Sequence, residues 1–288
     1  NSIASGLQDS FHIPPLFTGL VVAGAVGFTM LGGIRRVGQI TERLVPFMAI
    51  GYTAAAVCVI LVNWQRIPEV LHSILQQAFC WKSGLGGLTG YSVKQALKVG
   101  VARGVSSNEA GLGSSVMANS AADSPPVVQG MWGIFEVFFD TVVLCTLTAL
   151  VILCTTDSLR MTPKASGAAL AAWCFGTKLG RGGEMLISGS MAVFAFATMI
   201  AWFYLGRQAA AYFIGGCGFG ENAQNMFASK VYPLLFIAAV FLGSEARLGL
   251  VWLLSDIWNG LMAFPNLTAL LFLSREVTLP EGFLRRRK

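Results

Sequence analysis

One stretch of the sequence, Gly100–Ala122, concentrates the groups that could bind an ion or a small molecule. It combines one guanidinium, one carboxylate, two carboxamides, five hydroxyls and four glycines. Polar groups left unpaired in hydrocarbon are costly, so such a stretch needs burial in protein or a wet cavity. We expect the helix to break between Gly111 and Gly113, because glycine loses the most entropy in a helix. A broken helix exposes carbonyls that attract cations and amides that attract anions, as in transport sites on discontinuous helices.

The composition places this stretch inside a membrane protein. Of the 288 residues, 55% are hydrophobic and 12% are charged, whereas a soluble domain carries about 25% charged residues. The mean hydropathy is +0.65. The sequence therefore predicts an all-α polytopic membrane protein in which residues 1–288 form a single transmembrane domain. The net charge of +6 resides mostly in connections and in the basic tail, residues 275–288, where it indicates orientation and not nucleic-acid binding.

Seven apolar segments are predicted to cross the membrane. They are Leu16–Gly33, Leu44–Asn63, Tyr91–Ala122, Val127–Cys154, Met185–Leu205, Val231–Gly243 and Leu248–Leu273. We expect the third segment to be the broken helix. The seventh is expected to be interrupted at Asp256, at Asn259-Gly260 and at Pro265-Asn266.

The connections between these spans carry two further helix predictions and an orientation signal. Arg66–Trp81 has the apolar spacing of a surface helix, and a short helix over Gly167–Phe175 is expected within the connection Thr155–Glu184. Seven spans put the two chain ends on opposite sides of the membrane. Because basic residues are more numerous on the side of the tail, we expect Asn1 to be external and the C-terminus cytoplasmic.

Two carboxylates, Glu136 and Asp140, lie one helical turn apart on the fourth span. Ionisable groups at membrane depth mark functional sites by default, although neighbours such as Thr141 would also satisfy a purely structural pair. Glu109 leaves a similar choice open: it contacts a ligand, or it bonds the backbone where the helix breaks. Arg103 is a candidate partner for Glu109, but a spacing of six residues does not place the two on one helical face.

The segment Gly100–Ser115 reads GVARGVSSNEAGLGSS. It resembles the signature G-x-A-R-G-x-F-S-N-E-A-G-x-G-S of the alanine or glycine:cation symporter family. Further segments match that family, in its order, along essentially the whole chain. They are Asn1–Ala4, Gly32–Arg36, Glu42–Met48, Asp140–Thr146, Phe194–Phe196 with Thr198, Asn259–Ala263 and Pro265–Leu267.

This resemblance implies a five-plus-five inverted-repeat transporter fold, of the amino acid–polyamine–organocation type, and no enzymatic activity. It implies sodium-coupled import of L-alanine, glycine or a similar small neutral amino acid across the plasma membrane by alternating access. Sodium would be the coupling ion, and no cofactor is expected. Since the family has further helices before the position of Asn1, including a first broken helix, the chain is expected to be the C-terminal two-thirds of such a symporter.

The resemblance also assigns roles to individual residues. Ser107–Ser114 would be the unwound part of the sixth core helix, with Asp140 on the seventh and Thr198 on the eighth. The residues expected to bind substrate are Ser107, Asn108, Gly111, Gly113, Ser114 and Trp202. The residues expected to bind the cation are Asp140, Thr141 and Thr198. Structural or gating roles are expected for Arg103, Glu109 and Asn259.

Four residues, at three sites, depart from the family pattern. Ser106 stands where the family has phenylalanine, Ser115-Val116 where it has alanine-proline, and Ala197 where it often has a first threonine. The last change removes a hydroxyl from the expected sodium site, so proton coupling stays open as an alternative.

Because the first helices of the family are expected to be missing from this chain, a second function stays open, that of a non-transporting fragment or regulatory membrane subunit. A channel would carry polar stripes along several spans, whereas polarity here is concentrated in one broken helix and a few turns of others. An intramembrane enzyme would need a nucleophile–base pair or a metal motif, and neither accompanies the carboxylates.

Overall fold

The computed structural model describes residues 1–31, 33–78, 87–156, 167–218 and 220–276, and every regular element in these ranges is helical. The α-helices are α1 (Ser2–Phe11), α2 (Pro15–Leu31), α3 (Gly33–Val62), α4 (Ile67–Ala78), α5 (Gly87–Asn108), α6 (Ser114–Asn119), α7 (Pro126–Phe138), α8 (Cys145–Thr155), α9 (Ala168–Gly216), α10 (Glu221–Met226), α11 (Tyr232–Glu245) and α12 (Leu248–Leu273). Two π-helical segments, Phe139–Leu144 and Phe227–Val231, join α7 to α8 and α10 to α11. The prediction of an all-α chain is confirmed.

Five helical stretches in the described part are long and apolar enough to cross a membrane. They are Val45–Val62, Pro126–Thr155, Ala168–Gly216, Glu221–Glu245 and Leu248–Glu276. Each overlaps one predicted span, which makes the chain a multi-pass membrane protein. The first predicted span coincides with a shorter apolar helix, Pro15–Met30, and the third with the pair α5 and α6. The count of seven spans therefore stays a prediction.

The chain divides into two compact units. The first contains Asn1–Ile74 and Leu147–Leu248, and the second contains Leu75–Thr146 and Gly249–Lys288. The first unit includes α1, α2, α3, α9, α10 and α11. The second includes α5, α6, α7 and α12, so it carries the broken helix.

The first unit is built around the long helix α9, against which α1 and α3 pack. Phe175 of α9 is fully buried, and its ring centroid lies 5.5 Å from that of Tyr52 on α3. The Tyr52 hydroxyl hydrogen-bonds the Thr148 hydroxyl at 2.6 Å. Helix α1 is joined to α9 by the buried pair Ser10 and Ser188, whose hydroxyl oxygens are 2.6 Å apart. The hydroxyl groups of these two pairs thus satisfy each other, as an apolar interior favours. The buried hydroxyls of Thr18 and Thr53 have no hydrogen-bond partner among the described residues.

Helix α9 bends at Gly180, whose φ of 68° and ψ of −170° interrupt the helical backbone. Glycine adopts this left-handed φ without the steric penalty of a Cβ atom. The predicted short helix over Gly167–Phe175 is therefore real but longer, because it begins at Ala168 and continues to this bend. Residues 157–166 of the predicted connection lie outside the described residues.

Two other local predictions can be compared with the structure. The helix predicted over Arg66–Trp81 is observed as α4, Ile67–Ala78, after a short 3-10 turn; its last predicted residues lie outside the described ranges. The prediction that the seventh span is interrupted is wrong, because α12 is continuous and includes Pro265. Asp256, Asn259 and Asn266 have partners on another segment of the second unit, so the helix need not unwind to satisfy them.

Helices α2 and α11 approach closely through two glycines of α2. A Cβ atom placed on Gly19 would lie 2.2 Å from the Ser244 hydroxyl oxygen, and one on Gly27 would lie 3.2 Å from Ile237 Cδ1. Small residues allow transmembrane helices to come close enough for extensive van der Waals contact. Gly24, on the same helix, has no such neighbour within 4 Å.

We predict that Gly19→Ala destabilises the protein by about 1–3 kcal/mol, because the added methyl group overpacks the α2–α11 contact. Gly24→Ala is the matched control and should be neutral or stabilising by up to about 1 kcal/mol, since alanine favours the helix. Thermal unfolding of both variants in detergent measures the difference. Equal melting temperatures would contradict the proposed role of Gly19.

Candidate functional site

The helix that carries the polar stretch breaks between α5 and α6. Helix α5 ends at Asn108 and α6 begins at Ser114. Between them, Glu109, Gly111 and Gly113 have φ values of 54°, 81° and 87°. The predicted break is confirmed, but it begins at Glu109, two residues before the first glycine. A left-handed glutamate is unfavourable by itself, so its surroundings must hold it there.

The break leaves backbone carbonyls without hydrogen-bond partners among the described residues. The Leu112 amide donates to the Glu109 carbonyl at 3.1 Å, and the Ala110 amide donates to Asn108 Oδ1 at 2.9 Å. The carbonyls of Asn108, Ala110 and Leu112 accept no hydrogen bond from any described residue. Unwound carbonyls of this kind coordinate monovalent cations in transporters built on discontinuous helices.

Glu109 bridges the two ends of the break. Its carboxylate Oε2 accepts a hydrogen bond from the hydroxyl of Ser114, the first residue of α6, at 2.5 Å. This contact favours the structural alternative for Glu109. Arg103 pairs with Asp256, so it is not the partner of Glu109 that the sequence offered as a candidate.

The π-helical segment Phe139–Leu144 supplies two partners to the end of α5. Ser107 Oγ donates to Asp140 Oδ2 at 2.7 Å, and Asn108 Nδ2 donates to Thr141 Oγ1 at 3.1 Å. A π turn inserts an extra residue into a helix and is frequent at functional sites. Glu136, one turn earlier on α7, makes no hydrogen bond to a described residue. Of the two carboxylates predicted on this span, only Asp140 joins the network.

Helix α12 holds α5 through a face of polar and aromatic side chains. The Arg103 guanidinium pairs with Asp256 and lies 4.0 Å from the ring centroid of Trp252, one turn away on α12. This geometry adds a cation–π contact to the ion pair. Asn259 Nδ2 donates to the Ser106 hydroxyl at 3.2 Å, which makes a second contact between α12 and α5.

Asn266, like Asp256 and Trp252, belongs to this site although the sequence predicted no functional role for it. Its Nδ2 donates to the carbonyl of Gly111 at 2.9 Å. A Cβ atom added to Gly113 would lie 3.0 Å from Asn266 Oδ1. The available signal was spacing, since Asn266 follows Asn259 by seven residues and therefore shares its helical face.

The second unit contains ten of the twelve residues to which the resemblance assigned roles. The other two, Thr198 and Trp202, lie on α9 in the first unit. The Thr198 hydroxyl donates to the Phe194 carbonyl one turn earlier at 3.0 Å, the usual local bond of a helical threonine. Within the second unit, three pairs of these residues are hydrogen-bonded: Ser107 with Asp140, Asn108 with Thr141, and Glu109 with Ser114.

A model of one known protein family matches almost the entire chain. It is described as the sodium:alanine symporter family, and the match covers residues 1–281. The chain belongs to the sodium:alanine symporter family. The broken helix therefore lies in a member of a family that is described as one of symporters.

Individual relatives agree with the family match. An uncharacterized transporter of Haemophilus influenzae is 38% identical over 98% of this chain and 59% of its own length. The sodium/alanine symporter AgcS of Methanococcus maripaludis is 36% identical over 95% of this chain and 58% of its own length. The sodium/proton-dependent alanine carrier protein of Bacillus sp. (strain PS3) is 33% identical, with coverage of 95% and 62%. The chain thus spans about three-fifths of the length of these relatives.

We predict that Gly113→Ala destabilises this symporter-family protein by about 1–2 kcal/mol, because an alanine in the left-handed region is strained. The added Cβ would also press on Asn266 Oδ1. Gly104→Ala on α5 is the control, since a Cβ there meets nothing within 4 Å. Thermal unfolding in detergent compares the two. A Gly113→Ala protein as stable as Gly104→Ala would show that the break does not require this conformation.

Proposed function

We propose that this chain belongs to a sodium-coupled symporter that imports L-alanine, glycine or a similar small neutral amino acid by alternating access. Membership of the sodium:alanine symporter family supports the coupling. The printed descriptions of two relatives as a sodium/alanine symporter and an alanine carrier support the substrate. The protein would act in the plasma membrane, with its C-terminus in the cytoplasm.

The observation that carries the proposal is the break between α5 and α6. Its three unpartnered carbonyls supply neutral oxygen ligands, and the carboxylate of Asp140 provides negative charge beside the end of α5. Oxygen ligands combined with one carboxylate suit a small hard cation such as sodium. We assign Asp140 and Thr141 to the cation. The family resemblance assigns a cation-binding role to Thr198, which belongs to the first unit.

The substrate would bind along the same break. We assign Ser107, Asn108, Gly111, Gly113 and Ser114 to substrate contacts. The family resemblance assigns a substrate contact to Trp202, which belongs to the first unit. Several glycines and serines leave space for a small ligand but offer little apolar surface to a large one, which favours alanine or glycine. Arg103, Glu109 and Asn259 would hold or gate the site.

The proposed architecture is the five-plus-five inverted repeat with about seven spans in this chain. The chain matches about three-fifths of its relatives' length, and we propose that it corresponds to that part of a symporter. The remaining helices would then complete the site. The alternative is a non-transporting fragment or regulatory subunit. The partial coverage of the relatives' length favours this alternative if the chain occurs without further helices.

Uptake of radiolabelled L-alanine into proteoliposomes tests the function. The protein is the longest native reading frame that contains this chain, assayed with an inward sodium gradient, a proton gradient or neither. We expect uptake only with sodium. We expect Asn108→Ala to lower it by about tenfold, since the variant loses its bonds to Ala110 and Thr141.

Asn222→Ala is the control for that variant, because Asn222 is exposed on α10 and its side chain bonds no described residue. Uptake driven by protons alone would replace sodium as the coupling ion. A native frame that transports no small neutral amino acid under any gradient would favour the regulatory alternative.

We further predict that Asp140→Asn raises the sodium concentration for half-maximal uptake by about tenfold or more, because it removes a charged ligand. The asparagine oxygen can still accept the Ser107 hydrogen bond, so folding should be preserved. Glu136→Gln is the matched control on the same span. An unchanged sodium dependence in Asp140→Asn would exclude Asp140 from the cation site.

A further inference from the structure

The two helices α5 and α12 are joined in a register that changes at the break. Along both helices the residue numbers of paired positions increase together. Arg103 pairs with Asp256 and Ser106 with Asn259, so three residues on α5 match three on α12. After Ser106 the next pair is Gly111 with Asn266, so five residues on the polar stretch match seven on α12.

This change in register has a measurable length. Seven residues of α12 span about 10.5 Å, because an α-helix rises about 1.5 Å per residue. If α5 continued as a helix past Asn108, its five residues from Ser106 to Gly111 would span about 7.5 Å and fall about 3 Å short. In the structure the Gly111 carbonyl contacts Asn266, and the residues from Glu109 to Gly111 lie outside the helix.

The peptide group that Asn266 contacts is held at both ends. The Gly111 carbonyl accepts from Asn266 Nδ2 at 2.9 Å, and the next amide, that of Leu112, donates to the Glu109 carbonyl at 3.1 Å. With this peptide plane held, the carbonyls on either side, those of Ala110 and Leu112, remain without partners among the described residues. These are two of the carbonyls assigned above to the ion.

We propose that Asn266 is a positioning residue that selects the broken form of the helix over a continuous one. The contacts of Arg103 and Ser106 fix the position of α12 along α5. In this position Asn266 can donate its hydrogen bond to the Gly111 carbonyl only when the segment before Gly111 is unwound. Its effect on ion binding rests on the proposed function. Its effect on the conformation of the break does not.

The conformational effect can be measured by electron–electron resonance on the native frame. Spin labels are attached to p-acetylphenylalanine at Val101 and Val116, two exposed positions on α5 and α6, so that native cysteines do not react. A continuous helix would place these backbone positions about 22 Å apart, from fifteen residues at about 1.5 Å each. In Asn266→Leu, we expect the ratio of continuous to broken form to rise about fivefold, the effect of one lost hydrogen bond.

Two further variants separate the loss of the Asn266 hydrogen-bond donor from a change in the shape of its side chain. Asn266→Asp keeps the size but cannot donate when ionised, so it should behave as Asn266→Leu does. Thr268→Val is the control, because the Thr268 hydroxyl bonds only its own helix at the Phe264 carbonyl. A distance distribution in Asn266→Leu that equals that of Thr268→Val would overturn the proposal. So would a change in Asn266→Leu that is absent in Asn266→Asp.

The transport readout links this conformation to the ion. Asn266→Leu should raise the sodium concentration for half-maximal uptake while the maximal rate stays near that of Thr268→Val, because only the broken form binds the ion. A lower maximal rate with unchanged sodium dependence would overturn the positioning role. If the parent protein shows no sodium-driven uptake but the distances still shift, the proposed function fails and the role of Asn266 in the break stands.

Discussion

The structure of the second unit depends on one constraint: backbone groups at membrane depth need hydrogen-bond partners, and a broken helix removes them. Between Asn108 and Ser114 the helical ladder is interrupted, and side chains replace part of it. Glu109 bridges to Ser114, Asn108 bonds the Ala110 amide, and Asn266 bonds the Gly111 carbonyl. The carbonyls that remain unpartnered are the groups that a transported cation can complete.

The helices around the break are adapted to this task in different ways. The fourth span changes to a π helix at Phe139–Leu144, and there Asp140 and Thr141 meet the end of α5. Helix α12 stays regular across Asp256, Asn259 and Asn266. A regular helix keeps constant distances between its side chains, which is the property required of a support for an irregular segment.

The sequence predicted the break because its cause is local. Gly111 and Gly113, separated by one residue in a stretch rich in polar groups, weaken the helix whatever its tertiary surroundings. The left-handed Glu109, two residues earlier, was not predictable, because that conformation depends on the contact with Ser114 and on packing from other segments. The same holds for the partner of Arg103, which lies 153 residues away at Asp256.

The prediction of an interrupted α12 failed for a related reason. Asp256, Asn259 and Pro265 resemble helix-breaking signals when the span is considered alone. In the folded unit, the carboxylate and the carboxamide bind Arg103 and Ser106, so the polar groups are satisfied without unwinding. Asn266 had no recognised role, because its function depends on a carbonyl 155 residues earlier in the chain.

We have proposed that the break between α5 and α6 receives the ion and the substrate. Amide hydrogen exchange of the native frame tests this most directly, with sodium and L-alanine added together and compared with choline chloride. We expect slower exchange at residues 109–113 and no change around the bend at Gly180, another interruption of a long helix. Exchange at residues 109–113 that is the same in both conditions, or a response confined to the Gly180 bend, would contradict it.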